Sequence, residues 1–189
     1  PEHLGVAYMA AVLRRAGFDR RIYEALANDE EAALEAIAGS DPHLICFTLM
    51  SLNVPSWLRF SELLRRQLPA CRIACGGPAG TYAGRSILEL NPHADVVAVG
   101  EGESTIFELV QRLYLQEPLD SCRGIWFRDD QGVIRETPVR PLMHNLDDLP
   151  FPVRDQLEQH GKLEYVRLST SRGCVARCTF CSAPHLGNR

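Results

Sequence analysis

Three thiols stand close together in the run Ser169-Thr170-Ser171-Arg172-Gly173-Cys174-Val175-Ala176-Arg177-Cys178-Thr179-Phe180-Cys181. A C-x3-C-x2-C spacing on a loop that leaves a strand can converge on one metal centre. Iron–sulfur clusters are held by thiolates, usually four of them. Three ligands on a cubane leave one iron open to an exogenous ligand, so such a cluster can bind and activate something. Gly173 lets the backbone come close, and backbone N–H groups in the loop can donate to the sulfur atoms and tune the centre. A zinc site with His185 as fourth ligand is the competing reading, but zinc knuckles usually carry two paired ligand sets. Cys46, Cys71 and Cys75 lie in apolar runs and read as inert core residues. Cys122 has no assignable role.

A second group of residues has the composition of a ligand floor. Thr48 to Asn53, then Gly76-Gly77-Pro78 with Thr81 beyond, then Gly100-Glu101-Gly102-Glu103-Ser104-Thr105 each follow an apolar run. In a doubly wound sheet the ligand lies outside the carboxyl ends of the strands. Glycines there keep the floor flat, so that a large planar or tailed ligand can reach the backbone. Taken one at a time, each turn is equally explained by what any such sheet needs.

The elements that would position these groups follow from periodicity. Leu4, Ala7, Tyr8, Ala11 and Val12 share a helix face that Gly17 closes, and Arg21-Ile22-Tyr23 reads as a short strand. Asn28 could cap a second helix, with Glu31 as its capping-box partner and Ala32, Ala33, Leu34 and Ile37 on its apolar side. His43 to Thr48 is a continuous apolar strand of the buried parallel kind. A helix from about Pro55 to Leu68 presents Trp57, Phe60 and Leu64, with proline at its first turn. The strand Cys71 to Cys75 follows, then a short helix around Ile87-Leu88 that ends at Asn91-Pro92. The strand Val96 to Val99 leads to a helix bearing Ile106, Leu109, Val110 and Leu113. This alternation implies a parallel sheet with right-handed crossovers, an α/β fold of the flavodoxin-like, doubly wound kind. It opens on a helix where a strand is expected, so the chain reads as a piece of a longer protein. Gly124 to Arg128, a turn at Asp129 to Gly132, and Val133 to Arg135 read as a β-hairpin. A Pro-rich ordered linker runs from Pro138 to about Lys162. Tyr165 to Ser169 is one more strand, feeding the cysteine loop.

Composition narrows the setting. The chain has 189 residues, 20 Lys+Arg against 24 Asp+Glu and a net charge of −4. Near-neutrality provides no basic footprint for nucleic acid, and no apolar run approaches the ~20 residues of a membrane span. Pro1-Glu2-His3 lacks the basic head and apolar stretch of a signal peptide. Seven cysteines is an odd number, which argues against a fully paired disulfide framework and for a reducing, cytoplasmic compartment.

With Ser171-Arg172-Gly173 before the first cysteine and Phe180 before the last, the loop resembles the signature of radical S-adenosylmethionine (radical SAM) enzymes. The resemblance implies a [4Fe-4S] cluster on Cys174, Cys178 and Cys181, whose open iron chelates S-adenosylmethionine. One electron from the reduced cluster then yields methionine and a 5′-deoxyadenosyl radical. The match covers the first strand and cluster loop of that family's partial TIM-type barrel. The turns Gly76-Gly77-Pro78 and Gly100-Glu101-Gly102-Glu103, the first helix, and the run Leu149 to Asp155 resemble the cobalamin-binding domain and interdomain linker that precede many radical SAM barrels. That resemblance implies cobalamin contacts at Gly76, Gly77, Gly100, Glu101, Gly102 and Glu103, and further ones at Thr48 and Ser51. It divides the chain into a cobalamin-binding domain (1–118), a hairpin and linker (119–162) and the start of a radical SAM domain (163–189). Asp41-Pro42-His43 begins like a cobalt-ligating D-x-H motif, but Cys46 stands where that motif has glycine and His43 enters its strand instead of leaving one.

The activity implied is methyl transfer to an unactivated carbon of a small-molecule or peptide substrate. It would need an electron donor of flavodoxin or ferredoxin type, and no nucleic acid or membrane span. The piece itself is not expected to turn over. The alternatives are a radical SAM cyclase or rearrangement enzyme of the same architecture, a relative whose first domain has lost its corrinoid, and a corrinoid- or metal-binding module without catalysis.

Overall fold

The computed structural model describes residues 3–23, 30–154, 167–176 and 178–183. Five strands form one sheet in the order β1 (Leu44–Thr48), β2 (Arg72–Gly76), β3 (Val96–Ala98), β4 (Ile125–Arg128) and β5 (Ile134–Glu136). The first three run parallel, with Phe47 opposite Cys75 and Cys75 opposite Val97. Among the described residues five α-helices flank them: α1 (Leu4–Arg15), α2 (Glu30–Ala38), α3 (Val54–Gln67), α4 (Gly77–Leu90) and α5 (Glu103–Leu115).

Strand alternation sends side chains to two faces, and each face finds its own helices. On one, Ile45 and Ile73 meet Leu34 and Ile37 of α2 and Phe60 and Leu64 of α3. Beside them Cys75 and Val97 pack on Leu49, Trp57, Ile87 and Leu88, drawing in α4. On the other face Ala74, Val96, Ile125 and Phe127 bury Leu109 of α5 together with Cys122. Helix α1 packs along α5 and closes over Val153 with Ala7, Ala10 and Ala11. Each fully buried leucine, such as Leu64 or Leu88, contributes about 1.5–3 kcal/mol. No helix among the described residues is long and apolar enough to cross a membrane.

Five expectations are corrected. Residues 21–23 form no strand. Ile22 instead docks on the alanine face of α1, and Arg21 and Tyr23 stay exposed, so burial does not favour sheet pairing there. The helix after β2 is not a short one around Ile87-Leu88 but runs from Gly77, because Pro78 suits the first turn. It kinks at Ala83 (φ −133°, ψ 31°), next to Gly84, where a Cβ would stand 2.5 Å from Cδ1 of Trp126. The hairpin does form, but β4 pairs antiparallel with β3, Val97 opposite Trp126, so the sheet is mixed and continuous through β5. Cys46 is exposed instead of buried, because β1 is an edge strand and no described helix reaches its side of the strand. The strand expected at 165–169 falls partly on residues outside the described set, and 167–169 are not strand. The helix cap expected at Asn28 also lies outside it.

Burial pushes the Cys75 thiol up to about 12 and those of Cys71 and Cys122 to about 11. These three are the inert core thiols of the fold.

Candidate functional site

The three parallel strands deliver their loops to one end of the sheet. After β1, Leu49 turns inward and is fully buried. Its N–H donates to the Gly76 carbonyl at 2.8 Å, and its own carbonyl accepts from Ala79 N–H at 3.0 Å. Asn53 then closes the loop, its side-chain N–H donating to the Thr48 carbonyl at 3.0 Å while its oxygen accepts from Met50 N–H at 2.9 Å. Ser51 stands exposed at the rim. The third loop is tied to the second through Thr81, whose hydroxyl donates to the Gly77 carbonyl at 3.0 Å and accepts from Gly100 N–H at 3.1 Å. Thr48, Ser51, Gly76, Gly77, Gly100, Glu101, Gly102 and Glu103 therefore share one rim.

The glycines of this rim serve different ends. Gly77 has φ +85°, and a Cβ on it would stand 2.9 Å from Thr48 Oγ1 and 3.0 Å from the Leu49 carbonyl oxygen. It is glycine so that the β1 loop can close on it. Gly100 has φ +79° with nothing within 4 Å of a Cβ position, which leaves its backbone open to a ligand. Gly102 is closed by α1, since a Cβ there would meet Met9 Sδ at 2.8 Å. His43 precedes β1, its carbonyl accepting from Arg72 N–H at 3.0 Å. It is thus at the amino end of the sheet, a strand's length of roughly 16 Å away.

Glu101 and Glu103 meet a residue from far along the chain. Arg172 pairs with Glu101 at 3.2 Å and with Glu103 at 2.5 Å, and the side chains of the two glutamates are only 12% and 5% exposed. The guanidinium carbon sits 5.6 Å from the Tyr8 ring centroid, within cation–π range. Burial by itself would lower the Arg172 pKa, but hydrogen bonding and attraction from Glu103, then Glu101, more than offset it and raise it. The second Glu101 oxygen accepts from Met143 N–H at 2.7 Å. Its segment is anchored in turn by Arg140, which donates to Thr105 Oγ1 at 2.9 Å and pairs with Glu108. At the far end of the cysteine loop the Tyr82 hydroxyl donates to the Ser182 carbonyl.

Between these anchors Cys174 and Cys181 are half-buried and Cys178 is exposed, all as free thiols. The donor set fits an iron–sulfur cluster: three accessible thiols, with Ala183 N–H donating to Cys181 Sγ at 3.4 Å. The loop does not draw them together, for no three Cys, His, Asp or Glu among the described residues lie close enough to hold a metal ion. His185 lies outside the described residues. The open backbone at Gly100 fits the approach of a large cofactor to the rim. Tyr8, Tyr82 and Met143 escape the sequence reading as site residues, and Arg172 enters it only as part of the cysteine-loop signature. Two glutamates in one turn and an arginine beside the cysteines are the signal that could have paired them.

A family model described as B12 binding domain matches residues 1–110. An uncharacterized methyltransferase of Pyrococcus horikoshii is 29% identical over 186 residues, covering 95% of this chain and 40% of its own. The hopanoid C-3 methylase of Methylococcus capsulatus is 29% identical over 190 residues, covering 96% of this chain and 36% of its own. The chain therefore spans well under half the length of these relatives. Among solved structures, the cobalamin-dependent S-adenosylmethionine radical enzyme OxsB, with aqua-cobalamin and S-adenosylmethionine bound, superposes with a TM-score of 0.79 at 21% identity. It covers 95% of this chain and 26% of that one.

Proposed function

This chain belongs to the B12 binding domain family, and we propose that it is the corrinoid-holding part of a radical SAM enzyme that methylates an unactivated carbon. The observation that carries this reading is the meeting of two sites. The loop with three free thiols is attached to the rim where the parallel strands end. The two relatives named above, a methyltransferase and a methylase, support methyl transfer, and two further relatives, anaerobic magnesium-protoporphyrin IX monomethyl ester cyclases of Synechocystis and Cereibacter sphaeroides, support cyclisation as the second reading.

Gly100, with its open backbone, would let the corrinoid lie against the β3 loop, and Gly76 and the Thr48 loop would continue that floor. Cys174, Cys178 and Cys181 would ligate a [4Fe-4S] cluster. When bound, the cluster supplies the electron that cleaves S-adenosylmethionine, and cobalamin supplies the methyl carrier. The chain's own part is to place these groups. Leu49, Asn53 and Thr81 hold the three loops in register, while Ala183 N–H offsets charge on the Cys181 sulfur. His43, at the opposite end of the sheet, does not reach the cobalt. The substrate is a small molecule or peptide, the electron donor a flavodoxin or ferredoxin, and the setting a cytoplasm that keeps the loop thiols reduced.

The test is anaerobic reconstitution of the full-length protein, counting iron, sulfide and cobalamin per chain and measuring 5′-deoxyadenosine. Cys178→Ala is expected to abolish S-adenosylmethionine cleavage, and His43→Ala to leave the cobalt resonance spectrum unchanged. Retained cleavage in Cys178→Ala, or cobalt–nitrogen coordination lost in His43→Ala, refutes the assignment.

A further inference from the structure

The Gly-Glu-Gly-Glu turn has carboxylates that face protein. Glu103 opens α5, where the helix dipole favours an anion, yet its side chain is 5% exposed and both of its oxygens lie on Arg172, at 2.5 and 3.2 Å. Glu101 divides its oxygens between Arg172 and Met143 N–H. Neither carboxylate is left facing the crevice with a free oxygen pair for a ligand amide. Arg172 lies two residues before Cys174, and Ser182, held by Tyr82 of α4, lies one residue after Cys181. All three cysteines therefore sit on a segment pinned at both ends to the corrinoid domain. Its first anchor is a planar fork between two carboxylates under an aromatic ring.

We infer that Arg172, Glu101 and Glu103 act as positioning residues that clamp the cysteine loop to the crevice rim, so that the corrinoid domain itself sets the separation between the loop's metal centre and the cobalt. This rests on the function proposed above and reassigns Glu101 and Glu103 from cofactor contact to loop anchor. A guanidinium fork satisfies two carboxylates in a fixed plane, which an ammonium cannot do. Gly102 fits the same scheme: its close approach to Met9 seats the turn on α1 beside Tyr8.

The experiment uses the full-length protein and two readouts. In the cofactor-free protein, trypsin cleavage after Arg172 reports release of the guanidinium. Breaking a partly buried pair should speed that cleavage at least about tenfold in Glu101→Gln/Glu103→Gln. In the reconstituted protein, the magnetic dipolar coupling between the reduced cluster and cob(II)alamin reports their separation. One narrow distance is expected for the wild type, a broadened distribution for the double variant at equal cofactor content, and an intermediate one for Arg172→Lys. The exchanged pair Arg172→Glu with Glu103→Arg should narrow the distribution again relative to Arg172→Glu alone. Unchanged trypsin cleavage together with an unchanged narrow distance in Glu101→Gln/Glu103→Gln overturns the clamp. Failure of the wild type to take up cobalamin or iron overturns the functional reading instead, and the proteolysis still decides the clamp.

Discussion

Adding one methyl group at Gly77 and one at Gly100 should have different consequences, although both glycines follow a strand of the same sheet and both have positive φ (+85° and +79°). An L-residue in that region costs about 1–2 kcal/mol. The entropy a Gly→Ala change removes from the unfolded chain, about 0.4–1 kcal/mol, is common to the two sites. The contacts differ. At Gly77 the new Cβ meets Thr48 Oγ1 at 2.9 Å, the Leu49 oxygen at 3.0 Å and the Leu49 nitrogen at 3.1 Å, while at Gly100 nothing lies within 4 Å. Two of the three Gly77 contacts are backbone atoms of a loop fixed by hydrogen bonds to Gly76 and Ala79, so they cannot swing aside. Overpacking of this kind costs a further ~1–3 kcal/mol. At about 2–4 °C per kcal/mol for a domain of this size, and with the shared entropy gain subtracted, Gly77→Ala should lower Tm by roughly 8 °C and Gly100→Ala by roughly 2 °C. Thermal unfolding of the two variants without cobalamin checks this, and Thr48→Ala added to Gly77→Ala should recover only part of the loss. Cobalamin titration should then show the reverse order for a bulkier residue: Gly100→Leu, which folds, loses affinity by filling the open floor. Equal Tm losses would show that backbone conformation alone sets the cost and that the crowding argument is wrong, and full recovery by Thr48→Ala would show that the fixed Leu49 backbone contributes nothing to it.

Three further outcomes follow from the same packing. Gly84→Ala places a Cβ 2.5 Å from Trp126 and should cost about 1–3 kcal/mol, with a shift in tryptophan emission as the ring is displaced. Glu108 is partly desolvated, which raises its pKa, but hydrogen bonds and charge from Arg140 and Arg112 outweigh this and hold it below the ordinary glutamate value of 4.5. Its stabilisation is therefore complete above about pH 4.5 and lost as pH falls through the folded pKa, a slope that urea denaturation should find flattened in Glu108→Gln. Iodoacetamide at pH 8 should label the three loop cysteines while Cys71, Cys75 and Cys122, buried and raised to about 11–12, stay unmodified. Fast labelling of Cys122 in the native protein would contradict the packing around Leu109 and Ile125.

Local patterns determined much of this protein. The apolar runs at Ile45, Ile73 and Val97 are strands because a buried parallel strand needs apolar side chains on both faces. The helices carrying Phe60 and Leu109 follow from 3.6-residue spacing, and the hairpin turn from Asp129 to Gly132 is written in its residue types. The cysteine spacing and the glycine turns singled out the two candidate sites, because those motifs state their chemistry within a few residues. Pairings between distant segments were not written there. Ile22 and its neighbours have strand-like composition, but Ile22 buries itself on the alanine face of α1 instead of pairing, whereas β4 could join β3 because that edge was open. Likewise Gly77 and Gly100 are the same residue type in similar turns, and only the position of the Thr48-Leu49 segment distinguishes a packing glycine from an open one. Nor does the sequence show that Glu101 and Glu103 pair with Arg172, which the fold brings to them across some seventy residues of chain. A buried charge takes whichever opposite charge the topology delivers, and sequence spacing does not record that choice.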